Sequence, residues 1–539
     1  MTPVHPTSRE VSASQHGLTV LLLCAVAVVA RWQIVTLDFN SLLTSYLADD
    51  AFYYYKIAAN IFLQHRISYD GEGLANGFHP LWMSLIVPFY TPAQDGAGFV
   101  ARVQWLMLAL HLLAIVALYL TVLRLRGGWL VAMLASAILC LHSTFVDMQM
   151  NGLETSLNML VLLLLLNAFL TVWLQPLGAL RRYVFFGFIA AAAFLTRTDN
   201  AITLVLLFAA LAWQARGALV QVWPRLFLAG LVALLLVSPW LLWNQLQFGS
   251  MVQSSGKVES IHWGEPHFSL GATVYRLLLT PMAVYSHLQD TARLFIAAVP
   301  SALPLQSALL LAAGALLCWQ LLSARNPFPV LRALAVFCLA VFAVFCYNAG
   351  MRSFVRIWYH MPVGLVLVLL LAAVAIRWRG QRWPLAGLLL SVVAVLSLHS
   401  PAKLPGVAAE RSPHFVVADW LNTNTPADAV IGSMNSGILS YLAQRKVVNL
   451  DGVVDHRSLR AHWQKRQPEY LRERGIGYLV DNAGALAIFC RENALYRCQQ
   501  VFTFGDPRNP GRVMKLVPLD AGESPPVPAV GAEKTVTGS

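Results

Sequence analysis

Two adjacent carboxylates, Asp49 and Asp50, open the string Ala48-Asp-Asp-Ala-Phe-Tyr-Tyr-Tyr-Lys-Ile-Ala-Ala-Asn60. Acids this close either share a proton, which raises one pKa, or hold a cation, and both states suit a general base beside an anionic substrate. The plainer alternative is a helix cap, because a helix N-terminus favours negative charge anyway. Two successive acids followed by aromatics and Lys56 tip the reading toward chemistry. Asp147 and Glu154 lie seven residues apart, on roughly one face if helix runs through them, with a solvated loop as the alternative. In Thr196-Arg-Thr-Asp-Asn200, Arg197 and Asp199 place opposite charges two residues apart, as a structural ion pair or as a functional group at membrane level. The run Arg352-Ser-Phe-Val-Arg-Ile-Trp-Tyr-His360 carries Arg352, Arg356 and Tyr359, and reads as snorkelling anchors or as a lipid-phosphate site. His262, His267 and His287 are too scattered to suggest a metal centre.

These residues must be positioned by a membrane protein. Of 539 residues, 58% are hydrophobic and 12% charged, whereas a soluble domain runs to about 45–50% and about 25%. A helix needs about 20 apolar residues to cross the hydrocarbon core. Eleven spans are expected on that criterion, approximately Gly17–Leu37, Phe99–Leu123, Trp129–Val146, Leu157–Leu174, Tyr183–Thr196, Ala201–Ala215, Pro224–Gln245, Leu294–Ser323, Val330–Asn348, Trp358–Ile376 and Trp383–Leu398. With the N-terminus in the cytoplasm, Arg9, Arg124, Arg126, Arg181, Arg182, Arg216, Arg225, Arg325, Arg332, Arg377, Arg379 and Arg382 all fall inside, as the positive-inside rule requires. That frame makes residues 183–215 a hairpin with its outer tip at Arg197, and odd parity exports the tail. It also puts outside every acid before residue 401 except Glu10, an asymmetry that the rule for Lys and Arg does not explain and that an outward-facing polar site would. The net charge of +12 therefore reflects membrane orientation and gives no support for a nucleic-acid partner.

The organisation expected is a transmembrane domain over 1–400, a soluble α/β domain over 401–519 and a disordered Pro- and Gly-rich tail over 520–539. The first outer loop covers 38–98, with a juxtamembrane helix over 52–62 in the interface plane and another over 81–90. A second long outer loop covers 246–292. In the tail, strands are expected at 429–433, 447–450, 478–481, 501–504 and 513–517 and helices at 415–422 and 438–444. Asp451 and Asp455 follow a strand's C-terminal end, where open α/β sheets bind ligands, with an ordinary surface loop as the alternative. Cys490 and Cys498 could pair outside the cytoplasm.

Asp49-Asp-Ala-Phe-Tyr-Tyr, Asn76-Gly-Phe-His-Pro-Leu-Trp82, Asn151-Gly-Leu-Glu-Thr155, Leu195-Thr-Arg-Thr-Asp199, Gly437-Ile-Leu-Ser-Tyr441 and Val448-Asn-Leu-Asp-Gly452 together resemble bacterial integral-membrane glycosyltransferases of the GT-C superfamily. More distant similarity is to protein O-mannosyltransferases, the lipid A aminoarabinose transferase and polyprenyl-linked arabinofuranosyltransferases. The resemblance implies a GT-C fold in a bacterial inner membrane and a polyprenyl-phosphate-linked sugar as donor. It implies an extracytoplasmic glycan, lipid or protein as acceptor, with inversion at the anomeric carbon. Asp49 would be the base and Asp50 its orienting neighbour. Lys56, His79, Arg197, Arg352, Arg356 and Tyr359 would face the donor phosphate. The resemblance names no definite cofactor, and a divalent cation on Asp49 and Asp50 would suit a metal-using variant. No sequon-binding motif is evident, so an oligosaccharyltransferase has no support. A transporter or flippase would need ionisable residues within the spans, of which Arg31 and His111 are the main ones, and internal repeats, which are not evident. A scaffold with a degenerate site would tolerate loss of both first-loop acids.

Overall fold

The computed structural model describes residues 12–91, 96–261, 283–284, 286, 314–323, 328–351, 355–377, 410–492, 495–508 and 510–518. The eleventh expected span, Arg352, most of the eighth span and of the loop over 246–292, and the tail over 520–539 lie outside these residues.

The membrane part is built from α1 (Ala13–Val35), α2 (Phe39–Ser45), α3 (Asp49–Gln64), α4 (Pro80–Ile86), α5 (Gly96–Arg124), α6 (Trp129–Leu141), α7 (Ser143–Met148), α8 (Thr155–Leu174), α9 (Leu180–Thr196), α10 (Ala201–Gln214), α11 (Leu219–Phe248), α12 (Ser254–Ile261), α13 (Pro329–Met351) and α14 (Met361–Arg377). Among the described residues, six helical stretches are long and apolar enough to cross a bilayer. The third expected span differs from the sequence reading: helix stops at Leu141, and His142 restarts it as α7 by accepting a hydrogen bond from the Thr144 amide.

The expected break at Arg197 is present, since α9 ends at Thr196 and a 3-10 turn, Thr198–Asn200, leads into α10. The Arg225 Nε donates to the Gly178 carbonyl, and further along Gly187 abuts the Ala229 backbone. The N-terminal ends of α9 and α11 thus lie together, so the two helices run in parallel and α10 makes the return pass. Arg31, fully buried, is a pin between helices: its guanidinium reaches His111 Nε2 at 2.7 Å and donates to the Cys140 carbonyl at the end of α6.

The soluble part carries α15 (Pro413–Asn424), β1 (Val430–Ser433), α16 (Gly437–Leu442), β2 (Lys446–Asn449), α17 (His456–Trp463), α18 (Gln467–Glu473), β3 (Ile476–Asn482), α19 (Ala483–Glu492), β4 (Tyr496–Phe504) and β5 (Gly511–Pro518). Its five-stranded sheet has the order β2-β1-β3-β5-β4; the first three strands are parallel and the β4–β5 hairpin is added antiparallel to β3. Cys490 and Cys498 form a disulfide that ties α19 to β4.

The two parts meet on the first loop. Asp70 takes Arg457 at 2.6 Å and also pairs with Arg474, while Glu72 pairs with Arg474 and Lys446. The first loop and the soluble domain therefore occupy the same side of the helical bundle. This docking changes the expectation for α3. Instead of lying half in lipid, it is buried on nearly every face from Ala51 to Ala59, because the soluble domain covers what the bundle leaves open.

Candidate active site

The motif strings scattered over the sequence converge around the first two turns of α3. The Ala48 amide, just ahead of the helix, donates to the Asn151 carbonyl, and Gly152 packs against Ala51 at φ +87°, a backbone angle that suits glycine. Asn76 donates to Asn244 of α11 at 2.7 Å and accepts from the Ser254 amide, so the second first-loop motif ties the loop to the end of that helix. A Cβ on Gly77 would sit 1.8 Å from the Val453 carbonyl oxygen, so only glycine lets this motif touch the soluble domain.

Helical periodicity divides the acids that head α3. Asp49 shares a face with Tyr53, and Asp50 shares one with Tyr54, each four residues on. The Asp49 carboxylate accepts from the backbone N–H of Gly437 at 3.1 Å and of Ile438 at 2.8 Å, at the start of α16 in the soluble domain. Gly437 is required here too, since a Cβ would lie 2.1 Å from the Asp49 carbonyl oxygen. Burial pushes the Asp49 carboxyl above the usual range, against the two amides and nearby His414, which pull it down. Tyr53 reaches the same domain, its hydroxyl donating to the Met434 carbonyl at 3.2 Å.

Asp451 arrives at this seam from the end of β2. Its carboxyl accepts from the Val453 amide at 2.8 Å. Burial, with the charges of Asp50 and Asp49 nearby, pushes it up to about 8. The loops after β1 and β2, at the carboxyl ends of parallel strands where α/β sheets bind ligands, are thus the loops that face α3. Asp455 plays a structural part, capping α17 and accepting from Tyr470 at 2.8 Å.

On the other face of α3 a second set of polar groups assembles. The Tyr54 hydroxyl accepts from the His79 amide and donates to Glu154 at 3.3 Å. Glu154 binds Arg197 at 2.6 Å and lies 3.6 Å from His79 Nε2. Arg197 also grips Asp199 at 2.9 Å and lies 4.3 Å below the Tyr359 ring, and Asn348 donates to Asp199 at 3.0 Å. Burial opposes ionisation of Asp199, but the Arg197 guanidinium wins and holds its carboxyl well below the ordinary range. The free gap beside this cluster is about 20 Å³, room for about one water.

His79, Glu154, Arg197, Asp199 and Tyr359 are therefore brought together, whereas Asp147 exerts its charge on Tyr46, at the other end of the loop. Lys56 lies about 200° around α3 from Tyr54, facing away from this cluster; burial lowers its pKa. Arg356 is exposed beside the Tyr359 turn. Among the described residues no group of three or more His, Cys, Asp or Glu is placed to hold a metal. The contributions of Gly437, Ile438 and His414 were not read from the sequence; the motif strings at Gly437 and at Val448–Gly452, with Asp451, signalled that the tail shares this site.

Comparison with known proteins bears on the whole architecture. Residues 406–515 match a family described as a domain of unknown function, DUF8728. No curated protein matches the chain. The structure is similar to the archaeal oligosaccharyltransferase AglB from Archaeoglobus fulgidus, solved with an inhibitory peptide and a dolichol-phosphate, at TM-score 0.56 and 14% identity over 94% of this chain and 76% of that one. It is also similar to ArnT from Cupriavidus metallidurans bound to undecaprenyl phosphate, at TM-score 0.54 and 16% identity over 94% and 98%. The chain has the GT-C fold.

Proposed function

We propose that this protein is a membrane glycosyltransferase that moves a sugar from a polyprenyl-phosphate carrier to a hydroxyl on the side of the membrane where the first loop and the soluble domain meet. The observation that carries the reading is the setting of Asp49. Its carboxylate is aimed by two amides of the soluble domain, its basicity is raised by burial, and further acids stand beside it. One N–H on each oxygen leaves lone pairs for a substrate hydroxyl, and a raised pKa brings the base nearer the working pH.

In the step proposed, the acceptor oxygen attacks the anomeric carbon while Asp49 takes its proton. The bond from that carbon to the phosphate oxygen breaks, the anomeric centre inverts, and the phosphate departs on its lipid. Growing charge on the leaving phosphate calls for a cation, a role assigned to Arg356 and His79 and, from the sequence, Arg352. Arg197, already neutralised by Glu154 and Asp199, acts one step removed by fixing Tyr359 and the His79–Glu154 contact. Lys56 would lend positive charge from the far side of α3. No step is routed through a divalent cation.

The test is transfer from a panel of polyprenyl-phosphate sugars by the purified full chain in lipid nanodiscs. Asp49→Asn should lower turnover about 10²–10⁴-fold while leaving donor binding in place. Turnover at the normal rate in that variant would remove Asp49 as the base.

A further inference from the structure

We propose that a cleft at the membrane-proximal edge of the soluble domain binds a net-anionic phosphate headgroup. The cleft, of about 610 Å³, lies between the first-loop turn at Gly73, the C-terminal end of α11 at Phe248 and the helix pair α17–α18, which supplies Arg460, Gln464 and Arg466. It shares no residue with the Asp49 seam or the Glu154–Arg197 cluster, and it does not depend on the glycosyltransferase reading.

The charge on its walls is unevenly settled. Arg457 and Arg474 are spent on Asp70, Asp455 and Glu72. Arg460 is exposed and makes no ion pair among the described residues; its guanidinium reaches only His456 Nε2, at 3.4 Å. Arg466 meets Glu473 at 3.7 Å with the two side chains 56% and 66% exposed, a pair worth little in water. Lys257 of α12 lies outside the lining, 5.5 Å over the Trp463 ring. Partial burial, then the charges of Arg460 and Lys257, lower the pKa of His456, which is consistent with cations crowded at one corner. The forked guanidiniums of Arg460 and Arg466 on one opening suit phosphate, which accepts several charge-assisted hydrogen bonds at once.

The depth of the cleft favours a lipid-borne ligand. The 30 residues of α11 extend about 45 Å, more than the roughly 30 Å of hydrocarbon, so an end of the helix emerges among headgroups. Phe248, at that end, packs edge-on against His456, its ring 5.4 Å away. A soluble sugar phosphate would present the same chemistry.

The experiment uses the full chain in phosphatidylcholine nanodiscs. One arm titrates glycerol 3-phosphate, with glycerol as control, by calorimetry; the other counts phosphatidylglycerol retained from mixed nanodiscs by native mass spectrometry. The double variant Arg460→Ala, Arg466→Ala should weaken phosphate binding about tenfold or more in whichever arm shows it, and Arg460→Lys should retain most of it. Both arginines are exposed, and circular dichroism checks that the fold is kept. Binding in the lipid arm alone assigns a membrane lipid, and binding in the soluble arm assigns a soluble phosphate. Absence of binding in both arms, equal binding of glycerol, or undiminished binding by the double variant overturns the site. Because sugar transfer is not the readout, failure here leaves the Asp49 reading untouched, and the converse holds.

Discussion

The two faces of α3 hold their acids in opposite states. Toward the bundle, Glu154 and Asp199 are matched by Arg197, and the cluster leaves room for about one water. Toward the soluble domain, Asp49 and Asp451 come together without a cation to match them among the described residues, held by backbone amides and, for Asp451, the Asn449 side chain, and burial pushes both carboxyl groups up. A compensated cluster stores stability and fixes geometry. An uncompensated one costs stability and gains the ability to move a proton, and that is the difference on which the proposed placement of the chemistry at the seam rests.

Substitutions on the two faces should therefore separate activity from stability. The largest effect is expected for Asp49→Asn, a loss of about 10²–10⁴-fold in kcat with Tm little changed; an equal fall in Tm would erase the contrast. Arg197→Met on the other face leaves Glu154 and Asp199 buried without a cation, which should cost about 3–5 kcal/mol in denaturant unfolding. Gly437→Ala drives a methyl into the Asp49 backbone, so the soluble domain must back away. Misplacement of that size should lower kcat up to about 10²-fold while the Arg197 cluster stays intact, readable as an unchanged hydrogen-exchange pattern in α9 and α10.

The smallest effect is on pH dependence. Asp451 binds its proton more tightly when folded, so its contribution is full below the ordinary carboxylate range of about 4 and fades as pH rises through about 8, when it becomes charged beside Asp50 and Asp49. Tm should decline over that interval, and Asp451→Asn should flatten the decline. The acid limb of the kcat profile should likewise sit above the ordinary carboxylate range because burial raises Asp49.

Much of the scaffold was legible because it is written in local pattern. Runs of apolar residues marked most of the helices, the basic clusters forced the break at Arg197, and the strands of the tail fell where β-branched runs did. The gathering of the acids on the loops of one side was also legible, but it read as one polar site. The structure divides it into the Asp49 seam, the Arg197 cluster and the Asp70–Glu72 clamp on Arg457 and Arg474. The Arg197–Asp199 pair lies two residues apart and was open to reading from the sequence, whereas Asp49 and Asp70 join their sets through pairings hundreds of residues apart, which no spacing rule encodes. The same reason hid the burial of α3: its amphipathic pattern fitted a lipid interface because the domain that covers its other face is coded near the far end of the chain.

That distance sets a clock on assembly. Asp49 and Gly437 are 388 residues apart, so at about 5–20 residues per second the ribosome delivers the cover roughly 20–80 s after α3 itself. During that interval the part of α3 that meets Tyr441, Met434 and Gly437 lacks its cover, and the surface of the bilayer is its natural holding place. The helix is then handed from lipid to protein late in synthesis. A nascent chain stopped short of residue 437 should still hold α3 against the membrane, where interface-seeking probes would label it and the finished protein would not be labelled.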